Sequence, residues 1–397
     1  MSSTTLRASL FWLVLILISI NLRPALTSIA PVMERIVEEL SISRASAGLI
    51  TTIPVLLMGL FAPLAPMLAR KWGQETTLTA TMAILTLAFL LRYFSQSSFT
   101  ILLTSAFIAG SAIAIAGPLM SGFIKQHFAN KMASAVAIYS VSISLGASIA
   151  VALTIPIINV SGGAWHFGLA IWGVLAVVAF IVLAVFLPKA TGKVSTLLNH
   201  QKVPLRSLKA WLLTLFFAAQ AGIFYALSTW IVAHYEQVGF STDQASIFAG
   251  AFMGSGMIGA LVIPLLSTRV ADRRKLIAGV TMSSTLLLLS LTWSPQWYPL
   301  IVLPLLGITT SGTFALALAL PVLETDSPHA ASQLSSMMSF FGYLLGGIMP
   351  SLIGIGRDIT QSFAWPFTFL TLLSLSMVII ALFLPNATTK NIVPEKI

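Results

Sequence analysis

The chain has 397 residues, of which 57% are hydrophobic and 8% charged, and its mean hydropathy of +0.96 lies far from soluble proteins, in which about a quarter of residues are charged. This composition excludes a soluble globular domain and leaves a polytopic membrane protein. The absence of cysteine excludes disulfides, thiol chemistry and cysteine zinc sites, while the net charge of +10 has to be judged by where the basic residues fall.

Apolar runs long enough to cross about 30 Å of hydrocarbon as helices lie near 9–33, 45–69, 76–94, 99–124, 132–158, 165–187, 210–233, 244–268, 275–293, 298–322, 331–355 and 363–385. They predict an all-α integral membrane protein with twelve transmembrane helices. The first run follows Arg7 but is too long for the apolar core of a signal peptide, and nothing after it reads as a cleavage site.

Between the sixth and seventh runs, 188–209 carries Lys189, Lys193, Lys202, Arg206 and Lys209 with no acid. It reads as a basic linker between two six-helix halves, 1–187 and 210–397. Lys and Arg in short loops collect on the cytoplasmic side. With the N-terminus inside, that side holds Arg7, Arg70, Lys71, Lys125, Lys131, the linker lysines with Arg206, Arg269, Arg273, Arg274, Lys275, Lys390 and Lys396, and the opposite side only Arg35, Arg44, Arg92 and Arg357. Both termini are therefore expected in the cytoplasm. The positive charge is a topology signal and not a nucleic-acid site.

A weak internal repeat supports the division. Ile124 to Ser134, between spans four and five, aligns with Val322 to Ser332, between spans ten and eleven, at a shift of 198 positions (322 − 124). Ala69 to Glu75 after span two likewise has a counterpart in Thr268 to Lys275 after span eight. Two parallel halves around a midplane site are a transporter plan.

Arg23, in Asn21-Leu-Arg-Pro24, lies near the middle of the first run with no acid at comparable depth in any other. A charge at mid-bilayer costs about 2.5–3.5 kcal/mol on insertion scales, so such residues face a protein interior, a wet cavity or a ligand. Arg23 is thus either a structural arginine satisfied by backbone carbonyls or the binding charge for an anion. Helix breakers recur within the spans: Pro24 and Pro31, Pro54, Pro63 and Pro66, Pro118, Pro264 and Pro304. They are tolerated where freed backbone groups find partners or line a cavity.

Asn21, Tyr139, Ser142, Gln220, Tyr225, Trp230 and Tyr343 are polar or aromatic at mid-span depth. Together with Arg23 they would supply neutral donors to a small anion, although each alone suits an interhelical hydrogen bond. His234 and Glu236, at the outer end of span seven, are candidates for a coupling proton or for an interfacial polar rim. No P-loop, H-E-x-x-H or G-x-S-x-G motif occurs, so neither a catalytic residue, a metal site nor a cofactor is expected.

Several of these stretches carry a resemblance: Asn21-Leu-Arg-Pro-Ala-Leu-Thr-Ser-Ile-Ala-Pro31, Thr51-Thr-Ile-Pro54, Ile124-Lys125 with Phe128, Tyr225 with Trp230, Asp272-Arg-Arg-Lys-Leu276, and Gly342-Tyr343 with Pro350. Across the whole chain the sequence resembles the major facilitator superfamily, and within it the cyanate transporter family that also includes a 2-nitroimidazole exporter. The resemblance implies a monomeric secondary transporter of the bacterial inner membrane, using alternating access to move a small molecule across the lipid bilayer. It also implies cytoplasmic gating groups. Arg70 stands where the superfamily has an aspartate in the loop after span two, so Lys125 and the Asp272–Arg273 pair are the gating candidates.

The reading is a transporter of a small anion such as cyanate, bound by Arg23 with Asn21, Tyr139, Gln220, Tyr225, Trp230 and Tyr343. The alternative within transport is efflux of a small heteroaromatic drug. A membrane enzyme or sensor is the alternative from another class.

Overall fold

In hydrocarbon a spanning segment must satisfy its own backbone groups, which a helix does within one segment. A computed structural model describes residues 3–187, 204–267, 269–270, 272–324 and 328–384, and every regular element among the described residues is helical. Most of the basic linker and the tail beyond Leu384, with Lys390 and Lys396, lie outside them.

The first span is α1 (Ser3–Asn21), α2 (Pro24–Thr27), a 3-10 turn (Ala30–Val32) and α3 (Met33–Glu39). The second is α4 (Arg44–Leu60) and α5 (Leu64–Trp72), which meet at a bend of 66°. There follow α6 (Gln74–Tyr93), α7 (Phe99–His127), α8 (Met132–Val160), and a sixth span made of α9 (Trp165–Ala170) and α10 (Gly173–Phe186). After the linker come α11 (Leu208–Gln237), α12 (Thr242–Ser267), α13 (Arg273–Trp293), α14 (Pro299–Leu323), α15 (Pro328–Gly347), α16 (Met349–Thr360) and α17 (Ala364–Leu382). Eleven spans are long and apolar enough by themselves, and the bent α4–α5 pair makes the twelfth. The expected helical membrane bundle is therefore present, although the first, second, sixth and eleventh runs, which read as continuous, are each divided into shorter helices.

The break in the first span has a local cause. Pro24 has no N–H, so the Ile20 carbonyl four residues earlier loses its helical partner. The chain turns at Arg23, whose carbonyl accepts from the Leu26 and Thr27 amides at 2.9 and 3.0 Å and starts α2. Pro31 withholds a second donor from the Thr27 carbonyl. Around this segment the backbone of α8 comes close: a Cβ at Gly146 would lie 2.2 Å from the Ile20 carbonyl oxygen, so any side chain there would push α8 away. The Thr27 hydroxyl donates to the Ala147 carbonyl at 3.3 Å.

One end of the bundle carries Glu34, Glu38, Glu39, Glu236 and Asp358, and the other carries Arg70, Lys71, Lys125 and Arg273 to Lys275. At the acidic end the helices before the linker meet those after it backbone to backbone. A Cβ at Gly48 of α4 would sit 2.7 Å from the Pro350 carbonyl oxygen, and one at Gly354 of α16 would sit 2.3 Å from that of Arg44. Asp358, near the end of α16, accepts from the Arg44 amide at 3.2 Å and the Ala45 amide at 2.9 Å, so it caps the first turn of α4, where the helix dipole favours an anion. Arg44 lies 3.8 Å from the same carboxylate and pairs with Glu34. Farther in, Ser351 bonds Thr52 and Ser148 donates to the Gly250 carbonyl at 2.7 Å. This is a conformer closed at its acidic end.

Hydrogen bonds to a charged group contribute about 1.5–3 kcal/mol. Asp358→Asn should therefore shift the closure equilibrium by about 2 kcal/mol, or about thirtyfold. Pulsed electron resonance distances between labels at the exposed positions Ser41 and Ile359 should gain a longer population in the variant; an unchanged distribution would show that the cap does not hold this end shut.

Candidate functional site around Arg23

The break in the first span leaves Arg23 on non-helical backbone at mid-depth, and its side chain keeps solvent-accessible surface inside the bundle. One guanidinium nitrogen lies 3.3 Å from the Tyr225 hydroxyl of α11, which in turn donates to the Met58 sulfur of α4 at 3.6 Å. The guanidinium carbon sits 5.5 Å from the ring centre of Phe224 and 5.7 Å from that of Tyr225, within the range of cation–π attraction. Tyr139 of α8 and Tyr343 of α15 are near enough to interact with its charge. Their hydroxyls make no hydrogen bond among the described residues, and both side chains are partly accessible. No carboxylate pairs with Arg23 among the described residues.

The structure therefore brings Arg23, Tyr225, Tyr139 and Tyr343 together, from spans on both sides of the linker. The other expected lining residues face elsewhere. Asn21 donates to the Leu17 and Leu175 carbonyls at 2.7 and 3.1 Å, tying the end of α1 to α10. Gln220 donates to the Thr310 carbonyl at 2.8 Å, joining α11 to α14. Trp230 is fully buried against Phe363, and its indole N–H donates to the Pro350 carbonyl at 2.7 Å.

The gating candidates also separate. His234 meets the Leu291 carbonyl at 2.9 Å and packs on Phe367, between α13 and α17. Glu236, two residues on, accepts from Thr242 and lines an acidic cleft of about 570 Å³ with Glu34, Glu38 and Arg357. The two do not share a relay. Asp272 does not pair with Arg273: its carboxylate caps α13 and bonds Arg274 at 3.1 Å, and that bond holds it below the usual carboxylate range. Arg273 instead reaches the Ser267 carbonyl at 3.4 Å. Lys125 is exposed in the last turn of α7.

Sequence reasoning missed a second arginine. Arg92, expected in an outer loop, is 1% exposed at the end of α6. It donates to the Ala25 carbonyl and approaches the Ser28 hydroxyl at 3.5 Å, with its guanidinium over Phe89. Arg92 serves a carbonyl and a hydroxyl in the broken first span, the structural task first considered for Arg23. Its place one residue from the end of a span hid this, because nothing local distinguishes a loop arginine from one folded back into a bundle. Glu75 was also read as a loop residue, but it is buried and lies 3.4 Å from His127.

The Major Facilitator Superfamily profile matches residues 11–350, and the chain belongs to that superfamily. It is 29% identical to the 2-nitroimidazole transporter of Escherichia coli (strain K12), over 93% of each chain. It is 26% identical to the cyanate transport protein CynX of the same organism, over 93% of this chain and 96% of the relative. The crystal structure of the nucleoside transporter NupG superposes with a TM-score of 0.75 at 15% identity, covering 94% of this chain and 99% of that one; at that identity the likeness concerns the fold. The protein is thus a multi-pass membrane transporter of small solutes and not an enzyme.

The two arginines should differ in what they stabilise. Arg92→Ala leaves the Ala25 carbonyl without its donor in an apolar core, a loss of about 1–3 kcal/mol before any cavity cost, and should lower the melting temperature of the detergent-purified protein by several degrees. Arg23→Ala removes a side chain whose only hydrogen bond among the described residues is to a tyrosine and should leave the melting temperature within a degree or two. Equal losses would show that both arginines are structural.

Proposed function

We propose that the protein is a secondary active transporter of a small anion, with cyanate as the simplest candidate, working by alternating access around Arg23. The observation that carries this reading is a guanidinium at mid-depth that has, among the described residues, no carboxylate partner and two unpaired tyrosine hydroxyls beside it. A cation at mid-bilayer depth calls for a counter-charge or a polar cavity, and a bound anion would supply the counter-charge. The similarity to a cyanate transport protein agrees with this reading.

The moving parts in this proposal are residues 1–187 and 210–397, joined by 188–209, with the Asp358 cap opening as the opposite end closes. A second reading, efflux of a heteroaromatic compound, is favoured by the Phe224 and Tyr225 rings flanking the guanidinium and by the relative named for 2-nitroimidazole.

The test is uptake and binding of cyanate by reconstituted protein. A lysine offers a point charge in place of the planar fork, so Arg23→Lys should weaken affinity while Arg23→Ala should abolish uptake. Removing one partner of a buried charged contact costs about 2–5 kcal/mol, or roughly thirtyfold to several thousandfold. Unchanged cyanate binding by folded Arg23→Ala would exclude Arg23 as the anion site and leave the heteroaromatic reading.

In this proposal the membrane is the bacterial inner membrane, which the bacterial relatives support, and both termini are cytoplasmic, which the basic loops support. A cysteine at Lys131, and one near His200, should resist impermeant maleimide in intact cells and react after permeabilisation. Labelling from outside would reverse the orientation.

A further inference from the structure

Resting on the assignment of Arg23 as an anion site, we propose that the ligand is a planar aromatic monocarboxylate, with its ring held by the aromatic wall beside the guanidinium. The inference comes from what remains accessible around Arg23. Tyr225 and Phe217 are fully buried, whereas Met58, Tyr139, Phe224, Phe314 and Tyr343 keep exposed surface. The open wall is therefore four aromatic rings and a thioether, supplied by helices from both sides of the linker, around a single positive charge.

An anion of three atoms would occupy the guanidinium and leave that wall in water. A carboxylate on a ring uses both parts. Its two oxygens match the planar fork of Arg23, and the Tyr139 and Tyr343 hydroxyls are free to donate to the same head group. Its ring then meets apolar faces, which prefer offset-stacked or edge-to-face contacts.

The spacing of the wall limits how the ring sits. Phe224 and Phe314 are tilted at 30° to each other with centres 6.1 Å apart, too close to admit a third ring between them. Phe314 also lies 5.4 Å from Phe217, and Phe217 meets Tyr343 edge-on at 5.2 Å. The rings thus form one braced surface with a free side rather than a slot, and the ligand ring packs on its exposed faces. A flat ring suits such a surface better than a puckered one of the same size. This separates the proposal from general hydrophobic binding.

The experiment measures binding of four probes to the detergent-purified protein by isothermal titration: benzoate, cyclohexanecarboxylate, benzamide and cyanate. Benzoate is expected to bind at least tenfold more tightly than each of the other three, about the effect of two aromatic contacts. Phe224→Leu should narrow the preference for benzoate over cyclohexanecarboxylate to about twofold, with folding checked by melting temperature. Equal binding of benzoate and cyclohexanecarboxylate, or cyanate binding without benzoate, overturns the aromatic inference and leaves the anion reading in place. Benzamide binding as tightly as benzoate, with Arg23→Ala unchanged, overturns the anion reading itself. Binding of none of the four by folded protein overturns both.

Discussion

The structure depends on how the backbone of the first span is satisfied after Pro24 and Pro31 withdraw two donors from it. Inside a bilayer no water replaces a lost helical hydrogen bond, and each unsatisfied group costs several kcal/mol. Other helices converge on the break. Arg92 reaches the Ala25 carbonyl from α6, Thr27 reaches across to Ala147 of α8, and the bare backbone at Gly146 lets α8 approach Ile20. The same interruption turns Arg23 out of a continuous helix and into the space between the two groups of six spans. A rupture in secondary structure is therefore what creates the site.

Two guanidiniums stand within a few residues of this break in space, and their surroundings give them opposite tasks. Arg92 is enclosed, donates to the Ala25 carbonyl and lies over one ring, with almost no accessible surface. Arg23 is accessible, makes one long hydrogen bond and is flanked by rings that offer it only their faces. The difference lies in whether the guanidinium is enclosed by the bundle or left accessible beside unpaired hydroxyls among the described residues.

The closure at the acidic end uses a related economy of parts. Asp358 stabilises a helix terminus and bridges the two groups of spans with the same carboxylate. A cap of this kind can be released without exposing an apolar core, because the amides it serves in the first turn of α4 can bond water once the end opens. Glycines at Gly48 and Gly354 give the same joint its close backbone fit. Such contacts are few and polar, which suits surfaces that must part and rejoin.

The sequence by itself determined the membrane class, the helical composition and the number of spans, because apolar run length maps directly onto bilayer thickness and a helix satisfies its own backbone. It also singled out Arg23, since a charge at mid-depth is visible in one dimension, and it named Tyr225, Tyr139 and Tyr343 by the same depth argument. Depth alone could not say which side of a helix a residue takes. Asn21, Gln220 and Trp230 lie at suitable depths but turn toward Leu175, Thr310 and Pro350, and Phe224 and Phe314 passed as ordinary apolar residues until packing placed them beside the charge. Only the tertiary structure decided these matters, as it decided that Asp272 serves Arg274 and that Arg92 folds inward to the Ala25 carbonyl. Each is a contact between distant positions, fixed by the rotation and bending of whole helices, and no local pattern of residues encodes that geometry.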